Sequence, residues 1–323
     1  PVAPDGAALL EVTLRDARRA GCDHAVILTA PGQEQAVHDL FAGRPPVGLA
    51  VTVVAQHPDD LPAPGALASG AQPPGAPARE KPWGTAHAAW CVRHAVRGPF
   101  LLFNADDHYG PRAPAVLRDA LTAAAATADD DTPAFALLGY PLGATLSARG
   151  TVSRALCTVD DHGWLTGLHE VLAIDAAGRI ADAADRVTDA AAGRDTTEPL
   201  APATPVSMNA WAFTPALFPL LEDHLRAFLA TADLARDEAH LPAAIHAAVA
   251  RGAARVRVAS APDRWCGMTW PEDRARVVAR LAELERPRAV AAAFGLDVDA
   301  MTAAVPFGDG LIHATWRVDA ADG

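Results

Sequence analysis

Apolar residues in the first 140 positions switch between a helical and an extended period. Leu9, Leu10, Leu14 and Ala17 recur at helical spacing until Gly21, so the chain enters an amphipathic helix that a glycine ends. Ala25-Val-Ile-Leu-Thr29 is an unbroken apolar run, as expected of a strand covered on both faces. Gln33–Phe41 predicts a short helix with Val37, Leu40 and Phe41 on one side, and Leu49–Val54 the next strand. Helix 85–97, strand 99–104 and helix 113–126 follow. This alternation predicts an α/β fold with a mostly parallel central sheet covered by helices.

Between these units, residues 57–82 are rich in Pro, Gly and Ala and show no period, which makes them a long loop. The pattern changes after residue 130. Thr151–Val159 and Trp164–Glu170 flank Asp160-Asp-His-Gly163, a hairpin signal. Residues 171–204 are polar and rich in Ala and Asp and predict a loosely ordered insert, and the fold as a whole is expected to carry an inserted sugar-binding β subregion. Val206–Phe213 predicts a strand, and Thr214-Pro215 opens a helix through Leu229. Helices 236–251 and 271–285 bracket strand Arg255–Ala259, and Thr269 with Glu272 fits a capping box.

Composition narrows the class. The 323 residues suffice for one large domain or one and part of another. With 27 basic and 39 acidic residues the net charge is −12, which excludes a protein that coats nucleic-acid phosphates. A nucleotide remains compatible if a divalent cation supplies positive charge locally. Cys22, Cys91, Cys157 and Cys266 are scattered and read as the reduced cysteines of a cytoplasmic protein. No apolar run approaches the length of a membrane span.

Two segments carry the candidate chemistry. Lys81-Pro-Trp-Gly-Thr-Ala-His-Ala88 opens a helix with glycine-tight backbone and a small hydroxyl, which can approach a flat or anionic ligand closely. The strand Phe100–Phe103 then ends in Asn104-Ala-Asp-Asp-His-Tyr-Gly110. Carboxylates at the carboxyl end of an α/β strand sit where such folds bind ligands, and hard oxygen donors suit Mg²⁺. Strand alternation predicts that only one of Asp106 and Asp107 faces the cleft. Plainer readings exist for each: loop acids near Arg112, Thr85 as an N-cap, Glu170 as a solvated strand end, and Asn209 as an edge-strand polar residue.

In order and spacing, Lys81–Ala88, Asn104–Gly110, Gly150-Thr-Val-Ser-Arg154, Glu170, Val206-Ser-Met-Asn209 and Trp265–Asp273 resemble the sugar-phosphate nucleotidyltransferases. These enzymes join a nucleoside triphosphate to a sugar 1-phosphate, releasing pyrophosphate. The resemblance covers residues 1–285 and implies the Rossmann-like fold of the nucleotide-diphospho-sugar transferases. It puts Lys81, Gly84 and Thr85 at the nucleotide, with Gln56 a weaker candidate for the base. It puts Asp106 at the metal as the catalytic residue, with Asp107 beside it as a second metal-binding carboxylate. Gly150, Glu170 and Asn209 would hold the sugar. The implied cofactor is Mg²⁺, and the partners are a nucleoside triphosphate and a sugar 1-phosphate, with no nucleic acid and no membrane; a homo-oligomer is compatible with all of this.

The chain departs from that pattern in three places. No glycine-rich Arg/Lys signature occurs before Pro1-Val-Ala-Pro-Asp-Gly6, so the resemblance implies a domain without its first strand and phosphate loop, inactive or nearly so as it stands. Gly267 stands where a second metal Asp is expected, leaving Asp107, Asp263 or ligand oxygens to compensate. Val171-Leu172 follows Glu170 where a Lys is common, so the sugar phosphate needs another cation, for which Arg154 is the candidate. Arg286–Arg288 looks like a boundary, and residues 286–323, with Phe307-Gly-Asp-Gly310, resemble a linker and the start of an aminoglycoside-phosphotransferase-like sugar kinase, implying a bifunctional fusion. Two rival functions remain: a nucleotide-sugar-dependent glycosyltransferase, and a degenerate domain binding a nucleotide-sugar as a regulatory ligand.

Overall fold

The computed structural model describes residues 2–62, 81–127, 132–147, 149–180, 198–268, 273–293, 301–306 and 316–320. Helix α1 (Leu9–Arg19) forms where the periodicity puts it and buries Leu9, Val12 and Leu14. It leads into β1 (His24–Thr29), α2 (Glu34–Ala42) and β2 (Ala50–Ala55). Strands β1 and β2 pair in parallel. Helix α3 (Thr85–Cys91), β3 (Phe100–Leu102), β4 (Asp107–His108) and α4 (Ala113–Ala126) complete the alternating half. Both α3 and β3 are shorter than their sequence predicts.

The second half contains a strand that periodicity does not announce. Ala134–Pro141 forms β5, buried along seven of its eight residues, and it sits inside the six-stranded sheet between β8 (Pro205–Phe213) and β9 (Arg255–Ser260). The hairpin β6 (Val152–Val159) and β7 (Leu165–Ile174) extends the far side, giving the order β7-β6-β8-β5-β9, with β3 also on β8. Its turn is closed by Asp160 Oδ1, which accepts the N–H groups of His162 and Trp164 at 2.9 and 2.8 Å. Strand β8 runs antiparallel to β3, β5 and β6, while β9 is parallel to β5 and β7 is antiparallel to β6. Thus β3, β5, β6 and β9 share one direction, and the sheet is mostly parallel in sense although reversed β8 separates its members.

Alternation along the strands sends side chains into two cores. Phe135, Leu137, Trp211 and Phe213 pack under α3, α5 (Leu217–Thr231) and α6 (Leu241–Ala250). Ala136, Leu138, Tyr140, Val206 and Ala210 pack under α4, whose Leu117 and Leu121 are buried against them. Each such leucine contributes about 1.5–3 kcal/mol through burial. The short β10 (Cys266–Gly267) pairs antiparallel with β4. Helix α7 (Asp273–Ala293) continues through Arg286–Arg288, where the sequence marks a boundary. Beyond it, β11 (Met301–Pro306) and β12 (Trp316–Ala320) pair antiparallel. The Phe307–Gly310 motif and the Thr269–Glu272 capping box lie outside the described residues.

Candidate active site

Strand β8 changes neighbours along a single edge, and the site lies at the changeover. Val206 and Ser207 pair with β6, whereas Trp211–Phe213 pair with β3. Between them the β5–β8 register slips, so that Met208, Asn209 and Ala210 face Leu138 alone. Asn209 takes φ 60° there, and among the described residues no other non-glycine has a positive φ. Strained backbone of this kind concentrates where side chains must be re-aimed toward a ligand.

The changeover opens into a cavity of about 250 Å³. Asp106, Asp107, Thr85, Glu170 and Asn209 all line it, so five residues spread over 125 positions converge. Arg154 and Ser153 of β6 join them, as do Asn104 and His240. Both acids reach the cavity, against the alternation expected for a strand: β3 stops at Leu102, Asp106 sits in the Ala105–Asp106 turn and Asp107 opens β4, so no single strand runs through the pair. Asp106 is exposed and Asp107 buried.

Asp107 is held on several sides. Asn104 Nδ2 donates to its Oδ2 at 2.8 Å, and the Tyr109 hydroxyl lies 3.1 Å from the same oxygen. Tyr109 is fixed in turn by the Met208 carbonyl at 2.7 Å. Burial pushes the Asp107 carboxyl up to about 6; the Asn104 hydrogen bond opposes the rise and neighbouring Asp106 adds to it. Gly267, the register partner of Asp107, is what makes this placement possible. A Cβ there would lie 2.2 Å from Asp107 Oδ1. The missing acid at 267 and the buried acid at 107 therefore occupy one space. Asp263 is committed elsewhere: its carboxylate accepts the Arg112 side chain and backbone N–H at the start of α4.

Among the described residues, Arg154 is the one Arg or Lys lining the cavity. Its guanidinium is held by Thr145 Oγ1 at 3.0 Å and lies 5.5 Å from the Trp265 ring centroid. Burial lowers its pKa to about 10, with the Asp107 charge working the other way. It stays charged at neutral pH, and its N–H groups are taken by Thr145 Oγ1 and the Thr145 and Ser153 carbonyls.

Thr85 is placed by a backbone zipper. Ala239 donates to the Trp83 carbonyl at 2.7 Å, Ala86 donates to the Ala239 carbonyl at 2.8 Å, and Leu241 donates to Thr85 Oγ1 at 2.8 Å. Only glycine fits between: Gly84 has φ 98°, and a Cβ would lie 2.5 Å from the Ala239 oxygen. Gly84→Ala is expected to cost roughly 1–3 kcal/mol of strain and to shift Thr85, read as a lowered urea midpoint together with weakened ligand binding. Gln56 acts one step back, donating to the Gly84 carbonyl at 3.1 Å and lying 3.1 Å from His87 Nδ1. Gln56, Gly84, Lys81 and Gly150 are not in the cavity lining. Lys81 and Gly150 are exposed, Gly150 standing two residues before β6. His240 and Pro242, at the start of α6, carry no sequence signal; only the zipper to Thr85 brings them in.

No group of three or more His, Cys, Asp or Glu is arranged around a metal position among the described residues. Two adjacent carboxylates nonetheless fit the mode in which Mg²⁺ takes one or two protein oxygens and fills its shell from substrate phosphates and water. No disulfide links any of the four cysteines. No helix among the described residues is long and apolar enough to cross a membrane.

No family description and no characterised protein sequence matches the chain. Among solved structures it is similar to HddC from Yersinia pseudotuberculosis, at 10% identity over 84% of each chain with a TM-score of 0.45. It is also similar to a UTP-bound UGPase from Acinetobacter baumannii, at 11% identity over 87% of each chain with a TM-score of 0.48. At this distance the activity has to be read from the site itself.

Proposed function

We propose that the cavity binds a nucleoside triphosphate and a sugar 1-phosphate and belongs to a nucleotidyltransferase that forms a nucleotide-sugar and pyrophosphate. The observation that carries this reading is the convergence of Thr85, Asp106, Asp107, Glu170 and Asn209 on one cavity, because no single motif required it. A phosphate oxygen of the sugar 1-phosphate attacks the α-phosphorus in line, and the bond to pyrophosphate breaks. Such a step needs positioning and charge neutralisation rather than a protein nucleophile. Thr85 lies at the nucleotide side; Glu170 and Asn209, on the two strands that flank β6, offer acceptors and donors to sugar hydroxyls. Arg154 offers the cation for the sugar phosphate. Mg²⁺ held by Asp106 and Asp107 would neutralise the phosphate oxygens.

Titrating the chain with each of the four nucleoside triphosphates, with and without Mg²⁺ and glucose 1-phosphate, tests the reading. One triphosphate is expected to bind in a Mg²⁺-dependent manner, and pyrophosphate–triphosphate isotope exchange, measured in the intact protein with the sugar 1-phosphate present, reports the chemistry. Absence of any Mg²⁺-dependent binding would overturn it. A second reading, a domain that binds a nucleotide-sugar without turning it over, is favoured by Gly267 and by Arg154 being the one Arg or Lys among the described lining residues. It is separated by binding without exchange.

A further inference from the structure

His87 is fully buried two residues past Thr85, in the first turn of α3 and outside the cavity lining. Its Nδ1 lies 3.1 Å from Gln56 Nε2, and its Nε2 lies 2.7 Å from the Asp60 carbonyl. Gln56 Nε2 is also 3.1 Å from the Gly84 carbonyl, which accepts the Ala88 N–H at 3.0 Å as well. A relay of hydrogen bonds therefore runs from the backbone at Gly84, through Gln56 and His87, to the backbone at Asp60.

Both ends of the relay are carbonyl oxygens, which accept and never donate. That fixes every proton between them. Gln56 turns its amide nitrogen, not its oxygen, to Gly84 and spends its second N–H on His87 Nδ1. The imidazole is therefore the neutral Nε2–H tautomer, donating to Asp60. A protonated ring would bring one proton too many, and Nδ1–H would face the amide N–H. The amide would then turn over and set its oxygen against the Gly84 carbonyl. The groups around the ring keep net charge away from it. Arg93 grips the Asp60 carboxylate at 2.6 and 2.8 Å and holds it below the usual carboxylate range. The Cys91 thiol, 3.5 Å from Nε2, is pushed up to about 12 chiefly by burial and stays uncharged.

We propose that His87 is a positioning residue: through Gln56 it fixes the carbonyl of Gly84 and with it the placement of Thr85 in the cavity. Gly84 has no side chain with which to anchor its own turn, and the close approach of Ala239 admits none. Its carbonyl is the handle that remains. Beyond it, Ala86 N–H and Thr85 Oγ1 bond to the segment Ala239–Leu241, so a displaced Gly84 loosens both bonds. The same ring fastens the loop after β2, where Trp83 Nε1 also donates to the Pro58 carbonyl at 2.8 Å. The tautomer and the turn belong to the ligand-free chain. The effect on triphosphate binding alone rests on the nucleotidyl-transfer reading.

Three substitutions separate positioning from packing. His87→Asn sets an oxygen where Nδ1 stood, so it keeps the acceptor for Gln56 and loses the Asp60 bond. His87→Gln reaches the Nε2 position, so it keeps the Asp60 bond and leaves Gln56 without its acceptor. His87→Leu loses both. Amide exchange of Ala86 and Leu241, whose N–H groups bond across the turn, reads the placement of Thr85 without any ligand. About tenfold faster exchange, the size of one lost hydrogen bond, is expected for His87→Gln and His87→Leu. His87→Asn should exchange like the parent. Exchange that instead follows the urea midpoints of the three variants would make His87 a packing residue and overturn the proposal. So would ring nitrogen NMR shifts in the parent that report the Nδ1–H tautomer or an imidazolium at neutral pH. In the triphosphate titration, His87→Gln and His87→Leu should bind about tenfold more weakly and His87→Asn like the parent. Equal affinity in all four proteins would overturn the role at the ligand. If the parent binds no triphosphate, the nucleotidyl-transfer reading falls, and the exchange result still decides on His87.

Discussion

Asp107→Asn is expected to lower the nucleotidyl-transfer activity of the intact protein by about a hundredfold to a thousandfold, the range found when one electrostatic anchor of a transition state is removed, and at the same time to stabilise the fold. Burial holds this carboxyl at about 6 against an ordinary 3.8. Below pH 3.8 both folded and unfolded chains hold the proton and the burial costs nothing. From there to pH 6 the unfolded chain has released its proton while the folded chain keeps it, so stability falls with rising pH. Above pH 6 the full cost is present, about 3 kcal/mol at 1.36 kcal/mol per unit. A neutral carboxamide escapes that cost and can keep an oxygen toward Asn104 Nδ2. Chemical denaturation at pH 8 and pH 3.5 checks it: a gain at pH 8 that vanishes at pH 3.5 is expected. Loss of stability at pH 8 would show Asp107 to be a structural acid. Asp106→Asn, on an exposed carboxylate in the same cavity, should lose activity with unchanged stability. If it changes only ligand affinity, the regulatory-binding reading stands.

Much of this site is legible in the sequence as residue types, and little of it as geometry. The acid pair and the Gly-Thr turn stand out because their chemistry is local. Glu170 and Asn209 do not stand out, since each is an ordinary polar residue on a strand; their role depends on β8 exchanging β6 for β3 at Asn209. The alternation argument failed at Asp106 because the strand ends earlier, at Leu102. The strand β5 escaped for the opposite reason. Both its faces are covered, so Ala134-Phe-Ala-Leu-Leu-Gly-Tyr-Pro141 shows no alternation, and it contains no β-branched residue to favour an extended chain. Gly267 illustrates a further limit. Read as a lost ligand, it weakened the metal site; in the fold it makes room for Asp107 Oδ1.

Removing the partner of the buried His108 should have the largest effect on stability. Asp16 of α1 and His108 of β4 are each 3% exposed, with Oδ2 and Nε2 3.1 Å apart. Burial disfavours the imidazolium, but Asp16 and Cys266 outweigh it and raise His108 to about 9. A raised histidine stabilises the fold fully below pH 6.5, its ordinary value, and that contribution fades as pH climbs through 9. It amounts to about 3 kcal/mol at 1.36 kcal/mol per unit. Asp16→Asn leaves the ring buried without a counter-charge, for which about 3–5 kcal/mol is expected. Urea midpoints measured from pH 6 to pH 10 check both statements. The parent should lose stability between pH 6.5 and 9, whereas Asp16→Asn should start low and stay nearly flat. A parallel decline in both proteins would mean that another group titrates there. The pair also ties α1 to the strand carrying Asp107, and Thr13 Oγ1 makes a second tie to the Asp107 carbonyl at 3.4 Å. Loosening it should therefore weaken ligand binding at the acids before the fold is lost, so that affinity declines at pH values where the far-UV spectrum is still native.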